Sequence, residues 1–383
     1  MEINEKSMWS GFHPVSKEDW LNKIQKDLKG RDIKELDVLL SNLKISPFAH
    51  GDDFLQKPNP VKFGTGNWLI GEELFVQDNQ FKPANKILLD ALMRGVQSPI
   101  IRFDDYPSFE NLEILLEGVE LDYVSLNFSE KTFNKNPKFF LENFVRYAEL
   151  LNKNPKTLNG SIYYDPFADG RYERKTTLEA LEAGKNYLSL FKIICVNGQR
   201  FFRGADSVVE ELTHILLACN NYFSKLIQSE ITPKEIAQRL IISCSIGTNY
   251  FVEIAKLRAL RILWQHLLIS YDTTLIFPAI IEARIQPQQK EDSPHQNKIS
   301  ASSQIMSAVI GGADYICTDM PIINDKNIET VFDQRILTNI QHLLSLESYF
   351  DRVSDPLAGS YYIELLTHQI AEASWENFKN LAQ

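Results

Sequence analysis

The sequence predicts an α/β fold: a (β/α)8 TIM-type barrel with an N-terminal helical arm and a C-terminal helical extension. Two patterns and one missing motif predict it. Eight short apolar runs recur from residue 67 onward, and longer stretches whose apolar residues repeat every three or four positions lie between them. Strands alternating with helices make parallel βαβ units, and right-handed crossovers repeated eight times close into a barrel. An open doubly wound sheet would normally show a glycine-rich GxGxxG turn after an early strand, and none follows one here. A length of 383 residues suits one large barrel with an extra segment.

In chain order, residues 1–62 read as an arm outside the main domain. A helix runs from Lys17 to Leu28, opened by Ser16, and a polar stretch rich in Asn and Pro ends in "QKPNPVKF". Residues 63–383 read as the barrel with its helical tail. Its strands are "NWLIGEELF", "SPIIRF", "DYVSLNF", "GSIYY", "FKIICVN", "RLIISCS", "LIFPAIIEAR" and "ADYICT". Helices between them include "PANKILLDALMRGV", "NPKFFLENFVRYAELLNK", "DSVVEELTHILLACNNYFSKLI", "TNYFVEIAKLRALRILWQHLL" and "ISASSQIMSAVIGG". In the fourth of these, Phe251, Ile254, Leu257, Leu260 and Trp264 form an apolar stripe expected to face the barrel, with Lys256 and Arg261 off it. The helix-rich tail, 332–383, is expected to run past the barrel. In its segment "DPLAGSYYIELLT", Asp355 and Pro356 suit a turn and Gly359 permits a close or left-handed backbone. Tyr361 and Tyr362 are expected to pack where a short extended segment passes into the last helix.

Composition narrows the function classes. A formal net charge of -10 repels phosphate backbones unless basic residues cluster. The nearest cluster, Lys131, Lys135 and Lys138 between Phe133, Phe139 and Phe140, reads as a solvated helix face, so no nucleic-acid partner is expected. Cys195, Cys219, Cys244 and Cys317 form no CxxC pair, which argues against a disulfide framework or a zinc site and fits a reducing compartment. The acidic N-terminus carries no signal-peptide core, and no stretch of about eighteen apolar residues occurs. A cytoplasmic protein with no membrane partner is the expectation. Nucleophile-elbow, phosphate-loop, HExxH and EF-hand signatures are absent, and no two of the seven histidines stand at metal-ligand spacing.

In a barrel the active site is built at the C-terminal ends of the strands. The informative residues are therefore Asn197, Gly198, Gln199 and Arg200 after the fifth strand, and Glu282 and Arg284 after the seventh. They form no evident acid–base pair in sequence and read as a hydrogen-bonded rim.

Four ordered segments resemble the methylmalonyl-CoA mutases, the adenosylcobalamin-dependent acyl-CoA isomerases. They are "GTNYFVEIAKLRALRILW", "VIGGADYICT", "RILTNIQHLLSLES" and "DPLAGSYYIELLT", and the likeness covers about residues 60–383. The arm, "FHPVSKEDWLNKIQKDLKG", resembles the opening of the non-catalytic small subunit of bacterial heterodimeric mutases. The resemblance implies a barrel whose relatives thread pantetheine down an axis lined with small hydroxylated residues, beneath cobalamin held by a separate C-terminal domain.

Two departures qualify what carries over. Where catalytic members read "SISGYHMQEAGA", this chain reads "ICVNGQRFFRGA", so Gly198 and Gln199 occupy the positions of the reactive Tyr and His. Ile194 and Val196 replace serines there and are expected to close the axis. At the seventh strand "RTHCQTSGWS" becomes "AIIEARIQPQQ". The second departure is that no cobalamin domain with a DxHxxG loop is expected on this chain. The resemblance therefore implies no catalytic residue here, and Asn197, Gln199, Arg200 and Arg284 are the candidate substrate contacts. It further implies a heterodimer with a catalytic mutase subunit, and adenosylcobalamin in the complex but none on this chain alone. The alternatives are a substrate-binding subunit of a split acyl-CoA mutase with its cobalamin domain on another chain, and an acyl-CoA binding module without turnover.

Overall fold

The computed structural model describes residues 11, 15–40, 43–54, 67–131, 135–167, 172–285, 294–318 and 327–382. The expected arm–barrel boundary at 62/63 and the whole "QKPNPVKF" stretch lie outside them. In the arm, helix α1 (Lys17–Asp27) starts where Ser16 accepts a hydrogen bond from the Asp19 amide, as its capping position predicts. A hairpin follows, β1 (Val38–Leu40) with β2 (Leu43–Ile45).

Eight parallel strands then form the barrel: β3 (Leu69–Val76), β4 (Ile100–Phe103), β5 (Leu126–Glu130), β6 (Gly160–Tyr163), β7 (Ile194–Asn197), β8 (Leu240–Ile246), β9 (Ile281–Ile285) and β10 (Tyr315–Thr318). Each falls within an apolar run read from the sequence or at its edge. The order β6-β5-β4-β3-β10-β9-β8-β7 puts β6 beside β7 at the seam. There Lys192 N donates to Gly160 O at 3.0 Å, Ile162 N to Lys192 O at 2.7 Å and Cys195 N to Tyr164 O at 3.0 Å. Asp165 strengthens the seam by accepting from Asn197 N at 3.2 Å and from the Tyr222 hydroxyl at 2.7 Å.

The outer layer comprises α2 (Phe81–Met93), α3 (Phe109–Leu116), α4 (Lys138–Leu150), α5 (Arg174–Tyr187), α6 (Val208–Ile227), α7 (Pro233–Gln238), α8 (Tyr250–Tyr271), α9 (Pro294–Ile310) and α10 (Asn327–Leu346). Helix α10 follows β10 and returns to α2, where the His342 ring packs over Gly95 and bonds Arg94 O at 3.1 Å. It completes the alternation, so the part of the tail outside the barrel's ring begins later than expected. That part is α11 (Tyr361–Leu381), which lies across α6 and α8. It starts directly after Ser360 with no strand before it, and Gly359 takes the left-handed conformation at φ 82°.

Helix α8 departs from the expected one-sided stripe. Ile254, Leu257, Leu260 and Trp264 are buried, but Phe251 is 48% exposed and Lys256, Arg258 and Arg261 are buried as well. Helix α11 covers Arg258, whereas Lys256 and Arg261 turn toward α6 and the barrel. Each cation is met by acceptors from a different part of the chain. Lys256 Nζ lies 3.0 Å from Glu211 of α6 and 2.6 Å from Glu253, and donates to Ser245 O at 2.5 Å. Arg258 pairs with Asp355 and, at 2.6 Å, with Glu364, whose carboxylate also accepts from Gly359 N. Arg261 donates to Ala279 O at 2.9 Å, to Gly312 O and to Asp314 at 3.1 Å. The turn-forming Asp355 and the left-handed Gly359 thus close a two-carboxylate clamp on Arg258.

Removing one partner of such a clamp strands the other charges without water. Arg258→Ala is expected to cost about 3–5 kcal/mol in urea unfolding; a loss below about 1 kcal/mol would show that the clamp does not hold α11. Burial also pushes the Glu211 carboxyl up to about 7, against the pull of Lys256 and with Glu253 adding to the rise. Unfolded, a glutamate titrates near ~4.3, so between those pH values the folded chain holds a proton that the unfolded chain lacks. Stability therefore falls as pH rises through this window. Urea midpoints from about pH 5 to about pH 7.5 should drop for the wild type relative to Glu211→Gln, and a pH-independent gap would contradict this.

Candidate functional site in the barrel axis

Side chains of a strand alternate between the helical layer and the axis. A bulge sets the phase on β7: Ile193 N and Ile194 N both donate to Arg239 O, at 2.8 and 3.0 Å. Ile194 and Val196 consequently join the core shared with the helices. Cys195, between them, joins a separate cluster with Ile100, Tyr163, Ile241 and Cys317, drawn from five strands. The expectation that Ile194 and Val196 close the axis is corrected on this point, because the bulge turns them outward.

Other residues fill the axis. Near its floor, Asn127 Nδ2 donates to Ser98 Oγ at 2.7 Å and to Ser125 O at 2.9 Å, while its Oδ1 accepts from Ser161 Oγ at 2.7 Å. At mid-height Arg284 Nε lies 2.9 Å from Glu282 Oε1, and its Nη2 lies 3.5 Å from Glu73. The Arg284 guanidinium stands 5.7 Å from the centre of the Tyr163 ring. Burial pushes the Tyr163 phenol well above its ordinary range, with the Glu282 charge adding to the rise. Towards the top, Arg102 reaches Glu73 at 4.0 Å. Glu282 is 0% exposed, Arg284 3% and Tyr163 2%, and Ser129, Ser161 and Ser243 are buried as well. At mid-height these enclosed side chains fill the axis, while Glu73 and Arg102 above them stay partly exposed.

The rim brings together some of the residues expected there. Asn197 and Ser243 are register partners, and Gln199 Nε2 donates to Ser243 Oγ at 2.8 Å. Arg284 is not on the rim but inside the axis, held by two carboxylates. Arg200 is exposed, beside the Phe201 ring at 5.5 Å. Gly198 is pressed against α6: a Cβ there would lie 2.6 Å from Ile215 Cδ1 and 2.9 Å from Ser243 O. An aromatic side chain at this position requires the helix to move.

Sequence reasoning had passed over Glu73, Tyr163 and Asp165. The signal was present for Glu73, since an acid at an inward phase of "LIGEELF" is costly unless paired. Tyr163 and Asp165 carried no comparable mark.

Several described histidines are engaged away from the axis. His50 caps a turn, His214 stacks on Phe201 with ring centres 4.4 Å apart, His266 meets Trp375 edge-on and His342 bonds Arg94 O. Among the described residues no group of three or more His, Cys, Asp or Glu is disposed to hold a metal ion. These four engaged imidazoles do not fit the role of a cobalt ligand.

An eight-stranded parallel barrel whose mid-axis is filled by buried, ion-paired side chains is thus the class of protein in hand. Comparison with known proteins places it more narrowly. Residues 106–383 match the family Methylmalonyl-CoA mutase, and the chain belongs to that family. It is 32% identical to the methylmalonyl-CoA mutase small subunit of Porphyromonas gingivalis, over 99% of this chain and 64% of that protein. It is 27% identical to the methylmalonyl-CoA mutase of Rhizobium meliloti over 70% of this chain and 39% of that one. The human mitochondrial methylmalonyl-CoA mutase is 25% identical over 90% of this chain and 49% of its own. The chain therefore spans less than two thirds of the length of these relatives. Among the described residues no helix is long and apolar enough to cross a membrane.

The packing at Gly198 is open to test. Gly198→Ala is expected to lose about 1–3 kcal/mol in chemical denaturation through overpacking. Gln199→Ala, at a half-buried hydrogen bond, is expected to lose about 1 kcal/mol or less. A neutral Gly198→Ala would show that α6 yields freely and that an aromatic side chain could stand there.

Proposed function

We propose that this chain is the small, supporting subunit of an adenosylcobalamin-dependent methylmalonyl-CoA mutase, an assembly that interconverts methylmalonyl-CoA and succinyl-CoA. The chain itself carries no catalytic residue. The observation that supports this reading most strongly is the axis, where Tyr163, Glu282 and Arg284 occupy the space a thioester chain would need. The rim supports it too: Gly198 and Gln199 stand where catalytic members have a Tyr and a His, and neither can act as acid, base or radical partner. Likeness to a protein named as a small subunit points the same way.

On this reading cobalamin and substrate are held by a catalytic partner, and this chain supplies a folded surface for it in the cytoplasm. Residues 1–62 would be the segment that contacts the partner. Asn197, Gln199, Arg200 and Arg284 were the candidate substrate contacts. The arrangement favours a structural part for Arg284, already neutralised by Glu282 and Glu73. A split-mutase substrate subunit or an acyl-CoA binding module would both need an open axis, and the packed one speaks against them.

Co-expression with a mutase catalytic chain from the same genome should yield a co-purifying complex that isomerises methylmalonyl-CoA once adenosylcobalamin is added. The lone chain should show no isomerisation with the same additions. Turnover by the lone chain, or failure of the two chains to co-purify, would overturn the proposal.

A further inference from the structure

Away from the axis, a groove opens between α6 and the end of α11. It holds about 230 Å³ and is lined by Glu210, Thr213 and His214 of α6 and by Asn377, Asn380 and Leu381 of α11. That is room for roughly seven waters, or for one group the size of a side chain.

The lining is one-sided in charge. Among the described residues no lysine or arginine pairs with Glu210, whose Oε1 lies 3.9 Å from His214 Nε2. Asn377 and Asn380 add two exposed carboxamides, and among the described residues neither is engaged in a side-chain hydrogen bond. Helix α11 ends at Leu381, so its last carbonyls and the negative end of its dipole lie at the groove. The basic residue of that last turn, Lys379, is bound to Glu376 at 2.6 Å. Thr213 closes the groove on the inside, its hydroxyl spent on Val209 O at 2.7 Å and Ser374 O at 3.4 Å. The His214 ring is stacked on Phe201, with centres 4.4 Å apart and planes 14° apart, which leaves its second face for another planar group. Arg200 is held beside the same Phe201 ring, 5.5 Å from its centre, rather than at Glu210.

We propose that this groove is a binding site for a guanidinium group carried on a short apolar stem. An anion would meet the Glu210 carboxylate and the helix end, and a metal ion would lack ligands, since no group of three or more His, Cys, Asp or Glu is disposed to hold one among the described residues. A guanidinium forks onto a carboxylate through two parallel hydrogen bonds, stacks on a flat ring and gives up its water more readily than an ammonium does. Glu210 takes the fork, the carboxamide oxygens accept the remaining N–H groups, His214 takes the flat face and Leu381 the stem. The site is independent of the function proposed above. Its guanidinium comes either from a free small molecule or from an arginine side chain of a protein partner.

The test titrates ethylguanidinium into the isolated wild-type chain at a fixed pH of about 7.5 and follows the histidine ring signals by NMR, with His214→Gln identifying the His214 signal. That signal alone should shift and saturate, with a Kd of about 1–10 mM. Neutral ethylurea should produce no saturation. Glu210→Gln, at a side chain 53% exposed, should weaken binding roughly tenfold, and Asn380→Asp should tighten it. No saturable shift up to about 50 mM, an equal response to ethylurea, or unchanged affinity in Glu210→Gln would overturn the assignment. A second titration, of the complex with a catalytic mutase chain, separates the sources. Exclusion of ethylguanidinium from the complex assigns the groove to a partner arginine, and unchanged binding assigns it to a free ligand.

Discussion

The structure hangs on three cations buried in one helix. Lys256, Arg258 and Arg261 of α8 draw acceptors from α6, from the segment 355–364 and from the turns that precede β9 and β10. Burying them is costly, since each charge gives up its hydration. What the arrangement secures is position: only one register of α8 meets all of these acceptors at once. The covering helix α11 is part of the same solution, because it turns the outer face of α8 into interior and brings Glu364 to Arg258. The two segments that carry the family resemblance most plainly, 247–264 and 355–367, are therefore the two sides of one ionic clamp.

The same economy of paired charge governs the barrel axis. Small hydroxylated side chains, Ser161, Ser243 and Ser129, are buried among the barrel strands. Between them Glu282, Arg284 and Glu73 neutralise one another, and Tyr163 closes the remaining width. A filled axis is the ordinary state of a (β/α)8 barrel. At the seam, Asp165 does for β6 and β7 what a longer ladder does elsewhere, at the cost of a carboxyl that burial pushes upward.

Much of the fold was legible in the sequence. Eight apolar runs became eight strands, and Ser16 capped the helix expected of it, because period and capping chemistry act locally. Gly359 was legible for the same reason. The role of α8 was not, since its burial on all sides depends on a helix about a hundred residues later in the chain. Periodicity placed Lys256 and Arg261 off the stripe and could not show that carboxylates and carbonyls of distant segments would meet them. The axis was less legible: Ile194 and Val196 were expected to face it, but beside the bulge at Ile193 and Ile194 they join the outer core while Cys195 turns inward. A one-residue change of phase exchanges the two faces of a strand, and no composition signal marks it. Gly198 and Gln199 were found from resemblance, and the structure adds the reason that Ile215 leaves room for nothing larger than glycine.

On the function proposed above, any acyl-CoA in the assembly is held by the partner chain, because Tyr163, Glu282 and Arg284 fill the mid-axis here. Equilibrium dialysis of methylmalonyl-CoA against the purified two-chain complex measures this directly. The packed axis predicts a single binding site for each pair of chains. Two sites per pair would contradict it, since the second would have to lie in the axis that Tyr163, Glu282 and Arg284 fill.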